Sequence, residues 1–526
     1  MNRREFMARA AAGAVGMGLA AGCARNTAKT DRPPNFIVVL ADDIGAGELG
    51  CYGHPSQRTP ELDRMAREGV QFDTCYASPI CHPSRVMLLT GQYGCRNGVY
   101  NFSGMRGGPA PDSPAEDIAR GQFTFANALK ANGYATALAG KWQLSGKQPD
   151  LIFECDFDEY CVWAMEGMLP PGTPHPGGRE GNGRPARYWH PSILLNGRQM
   201  PTNPDDYGPN LHHEFVTDFM RRHREQPFVV YYSMCLTHGP HLPTPDQNPS
   251  PEERKGASQK NYPDTVEYLD KLMGRLDTAL GELGLRENTI VFFTGDNGTG
   301  GAGKGQPTEQ GARVPMIVQG PGIVKKRGLT PELTDLSDIF PTLLDFAGVP
   351  LPEGRPIDGR SLAPFLRGES DQTRDWIFSF IADRRILRTR RWLLEDNSPL
   401  HYGHLYDCGD RRDGKDYRDV TESQEPEVLE ARARFDALLE KLPAPILSEE
   451  GGPTEPQEGA REARRALRRE DRENTPPPAP AAESPFPEAP AGEKKRDLKL
   501  RPLRRLGIKG TSQKERKKQR AETDGL

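Results

Sequence analysis

The chain has 526 residues with nearly balanced charge: 69 Lys and Arg face 73 Asp and Glu, a net charge of −4. This balance gives no overall reason to expect a nucleic-acid partner. The length predicts two or more domains. The nine cysteines include no Cys-x-x-Cys pair, which argues against a structural zinc site.

The first 32 residues are typical of an export signal and linker. Arg3 and Arg4 precede an apolar run at residues 10–21 that is too short to span a membrane. Twin arginines predict the bacterial pathway that exports folded proteins, so we expect export machinery as a partner and a periplasmic location, which replacing both arginines by lysine would test. Ala-Ala-Gly before Cys23 resembles a lipoprotein cleavage box with alanine in place of the usual leucine. Both a lipidated, membrane-anchored Cys23 and an unlipidated protein therefore stay open.

Short apolar runs alternate with helical patterns along residues 33–375. Strands are predicted at residues 35–41, 134–139, 228–232, 289–294 and 314–318, and helices at residues 61–70, 125–132, 211–224, 265–283 and 335–347. This alternation predicts an α/β domain whose large, mostly parallel central sheet is flanked by helices. Residues 160–208, rich in Gly, Pro and aromatic residues, are predicted to form an inserted loop region.

The pattern changes after residue 375. Residues 376–380 and 386–394 flank a polar turn, which predicts antiparallel strands, and residues 428–442 form an amphipathic helix pattern. We therefore expect a smaller C-terminal subdomain with an antiparallel sheet over residues 376–448. Residues 449–526 are charged and rich in proline, with few residues that could form a core, and are predicted to be a disordered tail.

The most informative segment begins at Cys81. This cysteine stands at the predicted N-terminus of a helix, where the backbone amides and the helix dipole favour an anion. Arg85 follows one turn later with a guanidinium that binds anions through two hydrogen bonds. On these residues alone, a nucleophile beside an anion site and a buried structural cysteine both stay open.

Polar side chains follow four of the predicted strands, directly or within a few residues. They are Asp42, Asp43, Lys141, His238, Asp296 and Asn297. Because ligands of open α/β sheets bind beyond the carboxyl ends of the strands, we expect these side chains to lie together. The three aspartates and the asparagine offer only oxygen ligands, which suit Ca²⁺, with Mg²⁺ as the alternative.

In this order, the motifs resemble those of the formylglycine-dependent sulfatases, relatives of alkaline phosphatase. The resemblance covers about residues 33–445 and is carried by Asp42-Asp43, Cys81-His82-Pro83-Ser84-Arg85 with Leu89-Thr90-Gly91, Gly140-Lys141-Trp142, Thr237-His238-Gly239-Pro240-His241, Gly295-Asp296-Asn297-Gly298, Lys304, Arg313-Val314-Pro315, Asp338-Ile339-Phe340-Pro341-Thr342-Leu343 and Leu405-Tyr406-Asp407. It implies an alkaline-phosphatase-like sandwich and a sulfuric ester hydrolase.

The resemblance also implies a mechanism. A formylglycine-generating or radical maturation enzyme would oxidise Cys81 to formylglycine, whose hydrate carries two hydroxyls on one carbon. One hydroxyl would attack sulfur, so that the alcohol leaves and a sulfate ester stays on residue 81. The second hydroxyl would then lose its proton and sulfate would be eliminated.

The same resemblance implies roles for the other site residues. The cation would be held by Asp42, Asp43, residue 81, Asp296 and Asn297. Arg85, Lys141 and Lys304 would neutralise the sulfate oxygens, His238 would protonate the leaving oxygen, and His241 would contact the substrate together with both lysines. The chain departs from the family at Gln143, where a histidine that serves residue 81 is common. Either His241 or a water would then replace that histidine, or turnover would be slower, or the site would serve a variant chemistry. For His241 itself, a substrate-contacting or structural role also stays open.

The leading interpretation is an exported sulfatase that acts on a sulfated small molecule or polysaccharide. Residues 175–190 are rich in arginine and aromatic residues, which predicts either a groove for a polyanion or ordinary loop surface. The residues concerned are His175, Arg179, Arg184, Arg187, Tyr188, Trp189 and His190. Two other functions stay open: a phosphonate or phosphate ester hydrolase with the same site, and a non-catalytic protein that binds sulfated polymers. The intact set of Cys81, Arg85, Lys141, His238 and Lys304 argues against the non-catalytic interpretation.

Overall fold

The computed structural model describes residues 32–102, 122–144, 151–170, 172–180, 183–411, 414, 416–445 and 447. The predicted export signal with Arg3, Arg4 and Cys23 lies outside these residues, apart from Arg32, and so does the predicted tail. Within the described residues, no helix is both long enough and apolar enough to cross a membrane. The predicted domain boundaries stay predictions.

A ten-stranded sheet forms the centre of the fold. Its strands are β1 (Asn35–Ala41), β2 (Val70–Tyr76), β3 (Ala135–Gly140), β4 (Glu159–Trp163), β5 (Ile193–Leu195), β6 (Arg198–Met200), β7 (Phe228–Ser233), β8 (Thr289–Gly295), β9 (Arg313–Gln319) and β10 (Gly328–Asp335). Their order is β10-β2-β9-β8-β1-β7-β3-β4-β5-β6. The central strands β8, β1, β7, β3 and β4 are parallel, whereas β9 pairs antiparallel with both of its neighbours.

Helices cover both faces of this sheet. They are α1 (Pro60–Glu68), α2 (Cys81–Thr90), α3 (Gly94–Asn97), α4 (Phe125–Ala131), α5 (Leu151–Glu154), α6 (Gly208–Arg222), α7 (Tyr262–Glu282), α8 (Glu309–Ala312), α9 (Ile339–Ala347) and α10 (Ala363–Leu366). A further helix, α11 (Pro426–Leu439), follows the second sheet described below. Side chains of β1 alternate between two cores, with Val38 in one and Val39 in the other. Since both faces of the strand are buried, its sequence is a continuous apolar run, and the predicted sandwich is confirmed.

A second sheet of five strands follows in the chain. It contains β11 (Ile377–Ile381), β12 (Arg384–Arg388), β13 (Trp392–Asn397), β14 (His404–Asp407) and β15 (Arg418–Asp419), each antiparallel to the next. This confirms the predicted antiparallel sheet. The single strand predicted at residues 386–394 was wrong, because the chain turns between β12 and β13, where Thr389 N donates to Trp392 O at 2.8 Å.

Several strands had no counterpart in the sequence prediction. β2 alternates apolar and polar residues directly after α1, and the helix had been predicted to continue to Val70. β10 is an edge strand that contains Pro331, and both proline and polar residues weaken a strand signal. β4 to β6 lie in the region predicted to be a loop, and β5 and β6 have three residues each. The interpretation of residues 160–208 as loop throughout was therefore wrong.

One helix carries a buried, uncharged histidine. His212 lies on the inner face of α6 with only 1% of its surface exposed, and neither ring nitrogen has a hydrogen-bond partner among the described residues. Burial lowers the pKa of His212 to about 3. Because the unfolded chain takes up this proton near pH 6.5, the stabilising effect of the neutral ring is present above that pH and is lost as the pH falls.

We predict that His212 accounts for about 2 kcal/mol of the stability lost between pH 7 and pH 5. In a His212→Leu variant, the drop in the free energy of unfolding between pH 7 and pH 5 should be smaller than in the wild type by this amount. Urea denaturation at both pH values measures the two drops. His404→Gln, which changes a histidine that is 56% exposed, serves as the control and should keep the wild-type difference. Equal losses in wild type and His212→Leu would contradict the prediction.

Candidate active site

The ends of three parallel strands bring the site together. Asp42 and Asp43 follow β1, Lys141 follows β3, and Asp296 follows β8. The backbone N–H of Asp43 donates to Asp296 Oδ1 at 2.9 Å, and Lys141 Nζ lies 2.8 Å and 2.9 Å from the two carboxylate oxygens of Asp42. The residues expected at one edge of the sheet are therefore in contact, while the roles given to them stay predictions.

Two glycines permit this close approach. Gly140 has φ of 98°, and a Cβ at this position would lie 1.8 Å from the carbonyl oxygen of Ser233. At Gly295 a Cβ would lie 2.4 Å from the carbonyl oxygen of Ile44. Any side chain would push the neighbouring backbone away, so glycine precedes both Lys141 and Asp296 for a steric reason.

Cys81 begins α2 and faces the carboxylates. It is buried, and its Sγ lies within 4.8 Å of carboxylate oxygens from Asp42 and Asp296. Ser84, in the same turn, is used locally, since its hydroxyl lies 3.0 Å from the carbonyl oxygens of Ser78 and Ile80. Residue 81 therefore lies both at a helix N-terminus, which favours an anion, and at the edge of the oxygen cluster.

Cationic side chains compensate the three carboxylates. Arg85 is fully buried, and its Nη2 lies 2.6 Å from Asp296 Oδ2. Its Nη1 donates to the carbonyl oxygen of Lys141 at 3.1 Å and to the hydroxyl of Ser233. Lys304 Nζ lies 2.6 Å from Asp43 Oδ1. Asp42, Asp43 and Asp296 thus face Arg85, Lys141 and Lys304, which balances the formal charge inside a buried site.

The carboxylates differ in how easily they hold a proton. Burial raises the pKa of Asp42, but the positive charges of Lys141 and its neighbours outweigh burial and hold that pKa well below its usual value. Burial raises the pKa of Asp296 to about 7, and the charge of Asp42 adds to this shift. The pKa values of the two carboxyls are therefore shifted in opposite directions, and the two groups titrate as a coupled pair.

The donor set fits a hard divalent cation. Asn297 uses its Nδ2 to donate to Asp43 Oδ1 at 2.9 Å and to Gly298 O at 2.8 Å, while its buried Oδ1 has no hydrogen-bond partner among the described residues. A buried oxygen acceptor without a hydrogen-bond donor costs free energy of folding, and coordination to a cation would offset this cost. Asp42, Asp43, Asp296 and Asn297 are the residues that would hold Ca²⁺ or Mg²⁺.

His238 lies beside Asp43, near the carboxylate oxygen that Lys304 does not contact. Its Nε2 is 3.6 Å from Asp43 Oδ2, and its Nδ1 is 2.6 Å from the carbonyl oxygen of Gly239, to which it donates. Burial lowers the pKa of His238 to about 4, an effect that nearby Asp42 opposes and Lys141 strengthens. The ring is therefore neutral near pH 7 and presents Nε2 to the site.

His241 lies further from the carboxylates. Its ring packs against Tyr262 with 5.1 Å between centroids, and its buried Nδ1 has no hydrogen-bond partner within the described residues. Burial lowers its pKa, which the charge of Asp43 partly opposes. Gln143 has φ of 69°, and its Oε1 is also buried without a described partner.

Arg187 lies in a segment that the sequence predicts as a polyanion groove or as ordinary loop surface, yet its side chain is fully buried. Its Nη1 lies 3.3 Å from His238 Nδ1, its Nε lies 3.0 Å from Glu180 Oε2, and its guanidinium stacks on Trp163 at 4.1 Å. Nothing in the segment's composition indicates this burial, because it depends on contacts with residues distant in the chain.

The sequence profile of the sulfatase family matches residues 34–349, more than half of the chain. This chain belongs to the sulfatase family. It is similar to steryl-sulfatase of Mus musculus, with 33% identity over 453 residues that cover 69% of each chain. It is also similar to arylsulfatase A of Homo sapiens, with 35% identity over 400 residues that cover 69% of this chain and 73% of that protein.

Solved structures share the fold of this sulfatase. One of them, a protein in complex with its substrate D-glucosamine-2-N,6-O-disulfate, is 21% identical with a TM-score of 0.58, and the match covers 78% of this chain and 97% of that chain. The predictions of the sulfatase family, of its fold and of a sulfuric ester hydrolase are therefore confirmed. The substrate, the cation and the modification of Cys81 stay predictions.

The donor set predicts that Ca²⁺ or Mg²⁺ stabilises the folded sulfatase. At a cation concentration a hundred times its Kd, the free energy of unfolding should rise by about 2.7 kcal/mol. Asn297→Ala removes one oxygen ligand and should lower the affinity for the cation at least about tenfold. Thermal unfolding with EDTA and with increasing Ca²⁺ or Mg²⁺ measures both effects without requiring activity.

The matched control for this experiment is Asn288→Ala. Asn288 lies just before β8, at the end of the strand opposite to Asn297, and hydrogen-bonds to the carbonyl oxygen of Pro33. The Asn288→Ala variant should retain the wild-type response to the cation. A wild-type protein that responds to neither cation, or an Asn297→Ala variant with the full response, would show that the oxygen cluster is not a cation site.

Proposed function

We propose that this sulfatase hydrolyses the sulfate ester of a sulfated carbohydrate to an alcohol and inorganic sulfate, with residue 81 as the nucleophile after conversion of Cys81 to formylglycine. The observation that carries the proposal is the position of Cys81, at the start of α2 and beside Arg85, Lys304 and the oxygen cluster. Lys304 Nζ pairs with Asp43 Oδ1 at 2.6 Å, so the oxygen cluster beside residue 81 also holds a cationic side chain.

Two groups that are not encoded side chains would add to this site. The hydrate of formylglycine supplies a hydroxyl nucleophile together with a second hydroxyl on the same carbon. A divalent cation held by Asp42, Asp43, Asp296 and Asn297 would supply Lewis-acid chemistry there. The chain's own residues bind the ester, orient it and move one proton.

The cations of the chain would bind the sulfate group. Arg85 and Lys141 are held in place by ion pairs with Asp296 and Asp42, at 2.6 Å and 2.8 Å. Because these donors are fixed before the substrate binds, little reorganisation is needed as charge moves during cleavage of the sulfur–oxygen bond. Lys304 is 21% exposed, so it is the cation of the three most open to an entering anion.

His238 would give a proton to the leaving alcohol oxygen. The hydrogen bond from its Nδ1 to Gly239 O fixes the ring so that Nε2 faces the site. Its pKa of about 4 keeps the free ring neutral. The negative charge of a bound sulfate raises the pKa of a neighbouring imidazole, so substrate binding itself favours the protonated acid.

The choice of a carbohydrate rests on a solved relative. That relative carries D-glucosamine-2-N,6-O-disulfate as its substrate. Other relatives are named for steryl and aryl sulfates, so membership of the family does not by itself select the leaving alcohol. We assign the reaction to the buried centre and the sugar preference to the loops around it.

We predict that the matured protein hydrolyses 4-nitrophenyl sulfate and that Cys81→Ala lowers kcat at least about 10⁴-fold, as expected when a covalent nucleophile is removed. The release of 4-nitrophenolate measures kcat in the wild type and in the variant. Cys95→Ala is the matched control, because Cys95 is a half-buried cysteine in α3 outside the site, and this variant should keep wild-type kcat.

The same assay separates the alternative functions. A 4-nitrophenyl phosphonate monoester hydrolysed with a higher kcat/KM than the sulfate would identify a phosphonate hydrolase. Turnover of neither ester by protein that carries formylglycine would favour a protein that only binds sulfated polymers. A Cys81→Ala variant with wild-type kcat would contradict the role of residue 81.

A further inference from the structure

The connection between β8 and β9 carries Lys304, and we name its residues 298–312 the Lys304 loop. A hydrogen bond from the backbone N–H of Gly298 to the carbonyl oxygen of Gly311, at 2.8 Å, closes this loop at its base. From within the loop, the Lys304 side chain reaches Asp43, with 2.6 Å between Nζ and Oδ1. The conformation of the loop backbone therefore determines where this cation lies in the site.

One side of the Lys304 loop lies against the segment that leads into α2. The backbone N–H of Gly305 donates to the carbonyl oxygen of Pro79 at 2.7 Å, and the backbone N–H of Ala77 donates to the carbonyl oxygen of Ala312 at 2.8 Å. Because residue 81 lies two positions after Pro79, these hydrogen bonds place the proposed nucleophile relative to the loop that carries Lys304.

The other side of the loop is held by the second sheet. Glu395 in β13 accepts a hydrogen bond through Oε1 from the backbone N–H of Glu309, at 2.5 Å, although the two residues are 86 positions apart in the chain. The next residue, Asp396, donates its backbone N–H to the carbonyl oxygen of Pro307 at 3.0 Å. Strand β13 therefore fixes the Lys304 loop just before α8 and at the first residue of this helix.

Glu395 supplies a helix cap that the local sequence does not. Glu309 is the first residue of α8, and the N–H groups of a first helical turn have no carbonyl partner within their own helix. The residue before a helix usually caps it, but the Thr308 side chain makes no capping hydrogen bond. The carboxyl group of a distant strand takes this role instead.

The Glu309 carboxylate holds α8 in place as well. Its Oε1 accepts a hydrogen bond from the hydroxyl of Tyr76 in β2, and its Oε2 accepts one from the hydroxyl of Tyr417, both at 2.7 Å. Arg388 in β12 places its Nε 3.4 Å from Oε1. Both sheets therefore contact the first residue of α8, five positions after Lys304.

The hydrogen bond to Glu395 does not require a charged carboxylate. Burial raises the pKa of Glu395 to about 7, although the hydrogen bond from the Glu309 N–H opposes this shift. A protonated carboxyl group still has an oxygen that accepts hydrogen bonds, and so does the side-chain amide of glutamine. Glutamine is therefore the conservative substitution at this position, and alanine is the disruptive one.

We propose that Glu395 is a positioning residue for sulfate ester hydrolysis: from the second sheet it caps α8 and thereby holds Lys304 where the sulfate group binds. This proposal rests on the proposed function, because the position of Lys304 matters to the reaction only if Lys304 binds the ester. A cation that is fixed before the substrate arrives needs little reorganisation, and a small displacement of such a group lowers the rate. The second sheet thus acts on the reaction through the Lys304 loop.

The test compares kcat/KM for 4-nitrophenyl sulfate among variants of the matured full-length protein. Glu395→Ala removes the acceptor for the Glu309 N–H and should lower kcat/KM about tenfold, as for the loss of one hydrogen bond to a charged group. Glu395→Gln keeps an acceptor oxygen and should restore most of the wild-type value. Failure of glutamine to restore kcat/KM would contradict the role of this hydrogen bond.

The matched control is Glu332→Ala. Glu332 in β10 is 6% exposed and also accepts a hydrogen bond from a distant backbone N–H, that of Thr373, at 2.8 Å. Because neither of these residues belongs to the Lys304 loop, the variant should keep the wild-type kcat/KM. A fall equal to that in Glu395→Ala would show that the effect is not specific to the loop and would overturn the proposal.

A double variant separates the positioning of Lys304 from a general loss of structure. In Lys304→Ala protein, the further change Glu395→Ala should alter kcat/KM less than about twofold, because both residues act through the same cation. A further fall of about tenfold would mean that Glu395 acts independently of Lys304, and this result would overturn the proposal.

Hydrogen–deuterium exchange distinguishes failure of the cap from failure of the proposed function. In the peptide that covers residues 303–312, backbone N–H groups should exchange faster in Glu395→Ala than in the wild type, but not in Glu395→Gln or Glu332→Ala. If the wild type releases no sulfate from any ester, the proposed function fails, while faster exchange confined to this peptide would still support the cap. Equal exchange in the wild type and Glu395→Ala would overturn the proposal whatever the activity.

Discussion

The whole site depends on ion pairing inside a buried space. Three aspartates that would repel one another lie at the carboxyl ends of adjacent parallel strands, and Arg85, Lys141 and Lys304 compensate them at 2.6 Å to 2.8 Å. Breaking one such buried pair leaves an uncompensated charge, which costs several kcal/mol. The chemistry follows from this balance, because a site that is neutral on its own can accept a divalent cation together with an anionic ester.

The fold places these charges with short connections. β1 lies between β7 and β8, so residues that directly follow β1 and β8 meet without any long loop. Gly140 and Gly295 allow the strand ends to approach closely. The helix that begins at Cys81 then points its N-terminus at the same edge of the sheet. Strands, glycines and helix start thus converge on one centre.

Much of this arrangement was predictable because the signals are local. Central strands such as β1 are buried on both faces and form unbroken apolar runs, and the site residues follow those strands directly. β2 was missed because the preceding helix was extended to Val70, the first residue of this strand, and β10 was missed because it contains Pro331. Arg187 and Ser233 were not recognised because they contact His238 and Arg85, which are distant in the chain. Glu180 was also missed, although its partner Arg187 is close in sequence. Gln143 was singled out by comparison with a family motif, and its buried, unpartnered Oε1 gives no account of what replaces a histidine there.

We propose that residue 81 acts as a formylglycine rather than as a thiol. Mass spectrometry of the peptide that contains residue 81, from protein produced in its native host, tests this directly. We expect the mass of an aldehyde or its hydrate at residue 81, with reactivity toward a hydrazide probe that Cys81→Ala abolishes. A plain thiol at residue 81 in protein that hydrolyses sulfate esters would contradict it.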